Sequence, residues 1–301
     1  MGAPFWLRLG VGGLSQVSPG RAASLAHRFF CRPKLTRGYA KDDLRKLAKA
    51  EELLSQGRRQ QTTVLGRRII SYCFTAEPVS RGLVLLLHGW SGDSRAMTAF
   101  IGALTLAGYD AVVLDLPAHG GSDGVETNVV DAAVLVGAFL AANDLQPDHV
   151  IAHSYGGAVA SLLALAGDAP RSFTSISAPT KFALVLSEIS AAFNLCGEAE
   201  RIFSIHAAQS LQCDLGALDA LEVWKSTKTN VLAIHSPDDL RVSFEHALHL
   251  AQASNVRLTR AEGLDHCEIV CSPFTVAAAI GHIVQTDRAL RSIDEGKPEA
   301  A

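Results

Sequence analysis

Three side chains in this 301-residue chain have the types and the spacing for nucleophilic attack on a carbonyl: Ser154, His266 and one of the adjacent pair Asp238 and Asp239. Ser154 lies in Ala152-His153-Ser154-Tyr155-Gly156-Gly157, with a small residue two places before it and glycine two places after. A serine on a sharp turn between strand and helix needs small neighbours, because bulk at 152 or 156 would strike the chain that crosses there. Ala152 in place of the more usual glycine is a mild departure. The helix that follows brings the positive end of its dipole to any oxyanion developing at Ser154. A serine hydroxyl is a poor nucleophile near neutral pH and needs an adjacent base. His266, in EGLDHCEIV, can supply it. The imidazole needs a carboxylate to fix its tautomer and stabilise the imidazolium. Pro237-Asp238-Asp239 offers two, one to serve and the other to shape the turn. Each signal alone has a plainer reading: an ordinary strand-to-helix turn, or a loop histidine without a role.

Acyl transfer also needs hydrogen-bond donors for the oxyanion. One is the backbone N–H of Tyr155, directly after the nucleophile, and the other is that of Trp90 in LLLHGWSGDS. The Trp90 side chain lines a pocket or packs in the core. His88 and His119 read as loop residues that hydrogen-bond backbone near the site. His153 points away from the nucleophile, and His282 is a packing or surface residue of the last helix. No His-x-His or His-Glu-x-x-His spacing occurs, so no metal site is expected. No glycine-rich phosphate loop is present, and serine at the turn disfavours an aspartate nucleophile.

Residues so distant in sequence meet only if a sheet gathers the ends of its strands. LVLLL (83–87) is continuously apolar, as a strand buried on both faces should be. DAVVLDL (110–116), HVIAHS (149–154), SFTSIS (172–177), NVLAIHS (230–236) and NVRLTRA (255–261) read as further strands. Helical patterns lie between them at 94–107, 127–143, 156–166 and 244–253, and a last one spans 273–291. This alternation predicts a mostly parallel sheet with helices on both faces, and such sheets place their chemistry at the carboxyl ends of the strands. The β-branched pattern around LGRR predicts a hairpin over 61–76, and 22–55 reads as helix broken near Pro33. Two amphipathic helices with no strand between them fall in 180–225, an insertion that reads as a lid.

With 48% apolar residues, a chain of this length can bury roughly 75% of its unfolded surface in one domain. The formal charge of −3 gives no reason to expect nucleic acid or an anionic membrane as partner. The longest apolar stretches fall short of the ~20 residues that cross a bilayer. Arg8, Arg21, Arg28, Arg32, Lys34, Arg37 and Lys41 precede the first acid, Asp42. That bias fits a helical arm with a basic face or, alternatively, a mitochondrial transit segment. The six cysteines are scattered and read as buried free thiols. Cys267 and Cys271 would lie close on a helix but lack a second pair for a metal.

The loops at the strand ends resemble those of the α/β-hydrolase fold family. LLLHGW is similar to its His-Gly oxyanion loop, LDLPAHGGSDG to its D-x-P-x-H-G-x-S segment and IAHSYGGAV to its nucleophile elbow. HSPDDLRVSF resembles its acid loop and AEGLDHCEIV its histidine loop. The likeness covers about residues 60–287, and RFFCRP (28–33) resembles the N-terminal helix region of bacterial members. The family's carboxylate lies three residues after the small residue that closes the strand, here Ser236, so the resemblance points to Asp239. It implies an α/β-hydrolase core over 59–179 and 226–290, an N-terminal helical arm over 1–58, a helical lid over 180–225 and a flexible tail over 291–301. It also implies a serine hydrolase that cleaves a carboxylic ester through an acyl-enzyme, with Ser154, His266 and Asp239 as triad and Trp90 and Tyr155 as oxyanion donors. No cofactor is expected, the partner is a small acyl substrate, and the location is cytoplasmic with mitochondrial targeting as the alternative. The same scaffold hosts thioesterases, lactonases, lyases, perhydrolases and cofactor-free oxygenases, and a non-catalytic small-molecule-binding module is a further reading.

Overall fold

Buried strands dominate a computed structural model of the protein, which describes residues 5–33, 41–167, 169–212 and 218–295. Eight strands form one sheet in the order β1-β2-β4-β3-β5-β6-β7-β8. These are β1 (Arg58–Val64), β2 (Arg67–Phe74), β3 (Leu83–Leu87), β4 (Asp110–Asp115), β5 (His149–His153), β6 (Ser172–Ile176), β7 (Asn230–His235) and β8 (Val256–Arg260). β3 through β8 run parallel, while β1 and β2 add an antiparallel edge beside β4. This is the α/β-hydrolase fold that the loops led us to expect. The hairpin turns at Leu65-Gly66, both at positive φ (49° and 75°), and begins at Arg58 rather than 61. Polar Arg58–Gln61 carry no strand pattern of their own and are held by pairing to the apolar β2.

The unbroken apolar run of β3 is explained by its two faces. Val84 and Leu86 pack with Phe100, Ile101 and Ile151, beneath α4 (Thr98–Leu106) and α12 (Pro273–Glu295). Leu85 and Leu87 pack with Phe139, Val159 and Phe173, beneath α5 (Val129–Ala142) and α6 (Tyr155–Ala166). Each such leucine contributes about 1.5–3 kcal/mol by leaving water. α3 (Lys41–Ser55) adds Leu54 to the first of these cores. Short helices α10 (Glu245–Leu250) and α11 (Glu268–Cys271) follow β7 and the histidine loop.

The insertion holds α7 (Phe182–Ala192), α8 (Gly197–Leu211) and a short α9 (Ala220–Lys225). The arm holds α1 (Phe5–Val17), outside the 22–55 pattern, and α2 (Pro19–Cys31), started by Pro19 at the first helical position. Arm and insertion share a core of their own: Val11, Ala22, Ala23 and Ala26 pack against Leu186, Ile189, Phe203 and Ala207. The alanines let α2 approach α8 closely. The last helix reaches Glu295, and positions 296–301 of the expected tail lie outside the described residues, as do Lys34, Arg37 and Cys213. The reading of the cysteines as buried needs correction. Cys31 is buried, Cys73 and Cys196 are half-buried, and Cys267 and Cys271 are exposed because α11 lies at the rim of a cleft. Among the described residues no helix is long and apolar enough to cross a membrane.

Candidate active site

β5 ends at His153 and α6 begins at Tyr155, so Ser154 alone makes the turn, at φ 51° and ψ −122°. That left-handed backbone is costly for a residue with a side chain and is held by its surroundings. A Cβ on Gly156 would sit 2.6 Å from the Leu87 carbonyl oxygen and 2.7 Å from that of His88. One on Gly157 would overlap the Ala178 methyl. The small residues of the turn are therefore required by β3 and by the chain after β6, which press on the start of α6.

The structure brings the three predicted side chains together. Ser154 Oγ lies 2.9 Å from His266 Nε2, and His266 Nδ1 lies 2.7 Å from Asp239 Oδ2. Because a carboxylate only accepts, Nδ1 carries the proton and Nε2 is free to accept from the Ser154 hydroxyl. The other oxygen, Asp239 Oδ1, accepts from the backbone N–H groups of Arg241 (2.8 Å) and Val242 (3.1 Å). Burial opposes the charge on Asp239, but the hydrogen bond and charge of His266, with those two N–H groups, outweigh it and hold the carboxyl well below its usual range. Asp238 is exposed and accepts from the Gly263 N–H at 3.0 Å, which ties the acid loop to the histidine loop. Geometry thus separates the two aspartates: one reaches His266 and the other braces a turn.

The remaining histidines organise the loops. His153 Nε2 donates to the His266 carbonyl at 2.8 Å, and its ring lies 4.8 Å from the His266 ring. Burial, then the neighbouring His266, push His153 down to about 3, so it stays neutral beside the His266 imidazole. The Leu116 N–H donates to His88 Nε2 at 3.0 Å, and His88 Nδ1 donates to the Gly89 carbonyl at 2.8 Å. His119 donates to the Pro117 carbonyl at 2.9 Å. Asp115, at the end of β4, accepts from the Ser94 N–H (2.8 Å), the Ser94 hydroxyl (2.5 Å) and the Gly121 N–H (2.7 Å). These bonds lock the loop bearing Trp90 to the loop after β4. Sequence reasoning assigned no role to Asp115 or Ser94; their signal was a carboxylate closing an apolar strand.

Tyr155 is the first residue of α6, so its N–H has no acceptor within the helix. Among the described residues no backbone acceptor takes the N–H of Trp90 or Tyr155. The Trp90 ring packs edge-on to Tyr155 at 4.9 Å and to His119 at 5.2 Å, and it also lines the cleft. That cleft, about 1330 Å³, opens over Ser154 and His266. Its lining includes Phe29 and Phe30 of α2, which sequence reasoning did not place near the site. Among the described residues no three His, Cys, Asp or Glu side chains are placed to share a metal ion.

Residues 82–217 match the sequence profile of the α/β hydrolase fold. Over 96 residues, 31% of this chain, the sequence is 36% identical to the dihydrolipoyllysine-residue acetyltransferase component of an acetoin cleaving system from Cupriavidus necator. The match spans a quarter of that protein's length. Among solved structures, Est1E of Butyrivibrio proteoclasticus with ferulic acid bound superposes with a TM-score of 0.62 at 17% identity, covering 76% of this chain and 99% of that one. Proline iminopeptidase of Mycobacterium smegmatis superposes with a TM-score of 0.59 at 15% identity, covering 77% and 100%. At such identities the likeness is one of fold.

Proposed function

The chain is an α/β-hydrolase-fold protein, and from that premise we propose that it is a serine hydrolase cleaving a carboxylic ester or related acyl compound through an acyl-enzyme. The observation that carries the reading is the unbroken hydrogen-bonded line from Asp239 through His266 to Ser154, with spacings of 2.7 and 2.9 Å. Ser154 Oγ attacks the carbonyl carbon while His266 Nε2 takes its proton. The carbonyl oxygen becomes an oxyanion, held by the N–H groups of Trp90 and Tyr155 and by the start of α6. Collapse of the tetrahedral intermediate breaks the bond to the leaving alcohol, which receives the proton from His266. Water then repeats the cycle: His266 takes its proton, the hydroxyl adds to the acyl carbon, and the acid leaves as Ser154 recovers its hydrogen. Throughout, Asp239 keeps Nδ1 protonated and balances the imidazolium.

A fluorophosphonate probe and p-nitrophenyl acetate test this together. Wild type is expected to be labelled and to turn over, while Ser154→Ala loses the label and at least about 10³ of the rate. Labelling that survives in Ser154→Ala would sink the proposal.

A further inference from the structure

The cleft has two sides that differ in where its charged and its aromatic residues concentrate. One is built by the 3₁₀ turn Ser94–Met97 with α3, α4 and α11, which pack on one another. It offers the charged Lys46, Asp93, Arg95 and Glu268 to the cleft, with Leu47, Ala50 and Leu53 of α3 among its aliphatic members and no aromatic ring from these elements lining it among the described residues. The other is built by α2, α6 and α7 with the segment after α7, and is dominated by Phe29, Phe30, Phe182, Val185 and Phe193, with Lys181 and Glu188 of the same stretch also lining the cleft. Phe29 lies 5.9 Å from Phe193 and Phe30 lies 6.1 Å from Phe182, ring centre to ring centre, so these aromatics form one wall. Phe29, Phe30, Phe182 and Val185 are only partly buried, packed against the arm–insertion core with another face left to the cleft.

His266 assigns the two sides. It must hand its proton to the leaving group, so that group lies on its side. The histidine loop runs directly into α11, through Cys267 and Glu268, and so into the charged side. The acyl part then extends the other way, along α6 from Tyr155 past Ala158 to Leu162, and under α2 and α7. We infer that the protein selects esters with an extended apolar acyl chain and that α2 of the N-terminal arm, through Phe29 and Phe30, is a specificity-determining wall of the acyl site; this rests on the serine hydrolase reading. A short acyl group would leave the aromatic wall facing water, whereas each methylene laid along it gains about three- to fourfold in kcat/KM.

The test is a series of p-nitrophenyl esters from acetate to octanoate, with fluorophosphonate labelling of Ser154 measured in parallel. In wild type, kcat/KM is expected to rise by about three- to fourfold per methylene over the first several carbons. Phe30→Ala and Phe182→Ala, from opposite elements of the wall, should each lower the octanoate-to-acetate ratio at least about fivefold. Ser24→Ala, exposed on α2, should leave that ratio unchanged. If Phe30→Ala does not fold, Phe30→Leu must shift the ratio in the same direction. Ratios unchanged within twofold in both wall variants, with Ser154 still labelled, overturn the acyl assignment and leave the hydrolase reading intact. A wild type that the probe does not label removes both.

Discussion

Asp238 and Asp239 share a turn but not an environment. Asp239 is buried and spends one oxygen on His266 and the other on two backbone N–H groups. Asp238 is exposed, and its carboxylate accepts from the Gly263 N–H. Asp239→Asn is expected to lower kcat by about 10⁴, because an amide N–H can force the wrong tautomer on His266. Asp238→Asn should stay within about threefold, since an amide oxygen still accepts from Gly263. Steady-state kinetics on the two purified variants decide it, and equal losses would mean that either carboxylate can serve. His153 makes a second prediction at this scale. It is a positioning residue, whose N–H holds the His266 carbonyl at 2.8 Å. His153→Phe keeps the ring volume and removes that bond, so kcat should fall about tenfold with KM nearly constant. A rise in KM alone would contradict the role. Ser154 and His266 were legible as candidate nucleophile and base because each sits in a short local pattern. The choice between the aspartates needed the resemblance to a family. The role of His153 needed coordinates, because its partner is a backbone atom far along the chain.

At the scale of elements, the turn between β5 and α6 depends on what crosses above it. Gly156→Ala places a methyl against the carbonyls of Leu87, the last residue of the central strand β3, and of His88 directly after it, both held by the packed sheet. The expected cost is about 1–3 kcal/mol of stability, with loss of activity as Ser154 shifts. Urea denaturation monitored by tryptophan fluorescence checks it, and an unchanged midpoint with full activity would show that the strand does yield. The buried strands were legible as apolar runs and the sheet as their alternation with helices. The insertion helices α7 and α8 were legible from their periodicity. Less visible were α9 and α11, of six and four residues, too short for a period to develop. Nor was α1 visible, whose sequence FWLRLGVGGLSQV carries three glycines in thirteen residues; its propensity is poor and packing on α2 and the insertion sustains it.

For the whole molecule, buried neutral histidines set the response to acid. Burial is the leading cause that pushes His88 and His282 down to about 4 and His119 and His153 down to about 3, from 6.5. Between pH 6.5 and about 4 the unfolded chain binds protons at these four positions and the folded chain does not. Stability therefore falls as pH drops through that window, by as much as ~5 kcal/mol per pH unit once all four have titrated in the unfolded state. The melting temperature should decline steeply between pH 6 and 4.5, above the range of ordinary carboxylates. A flat profile from pH 6.5 to 5 would show that the histidines titrate alike in both states.

The shared core of arm and insertion adds a consequence for biosynthesis. Val11, Ala22 and Ala26 leave the ribosome long before their partners Leu186, Ile189 and Phe203 exist. At about 5–20 residues per second, the apolar faces of α1 and α2 stay uncovered for roughly ten to thirty-five seconds. The apolar faces of α1 and α2 are therefore adhesive through that interval, and one wall of the cleft over Ser154 takes shape only once α7 and α8 have been made.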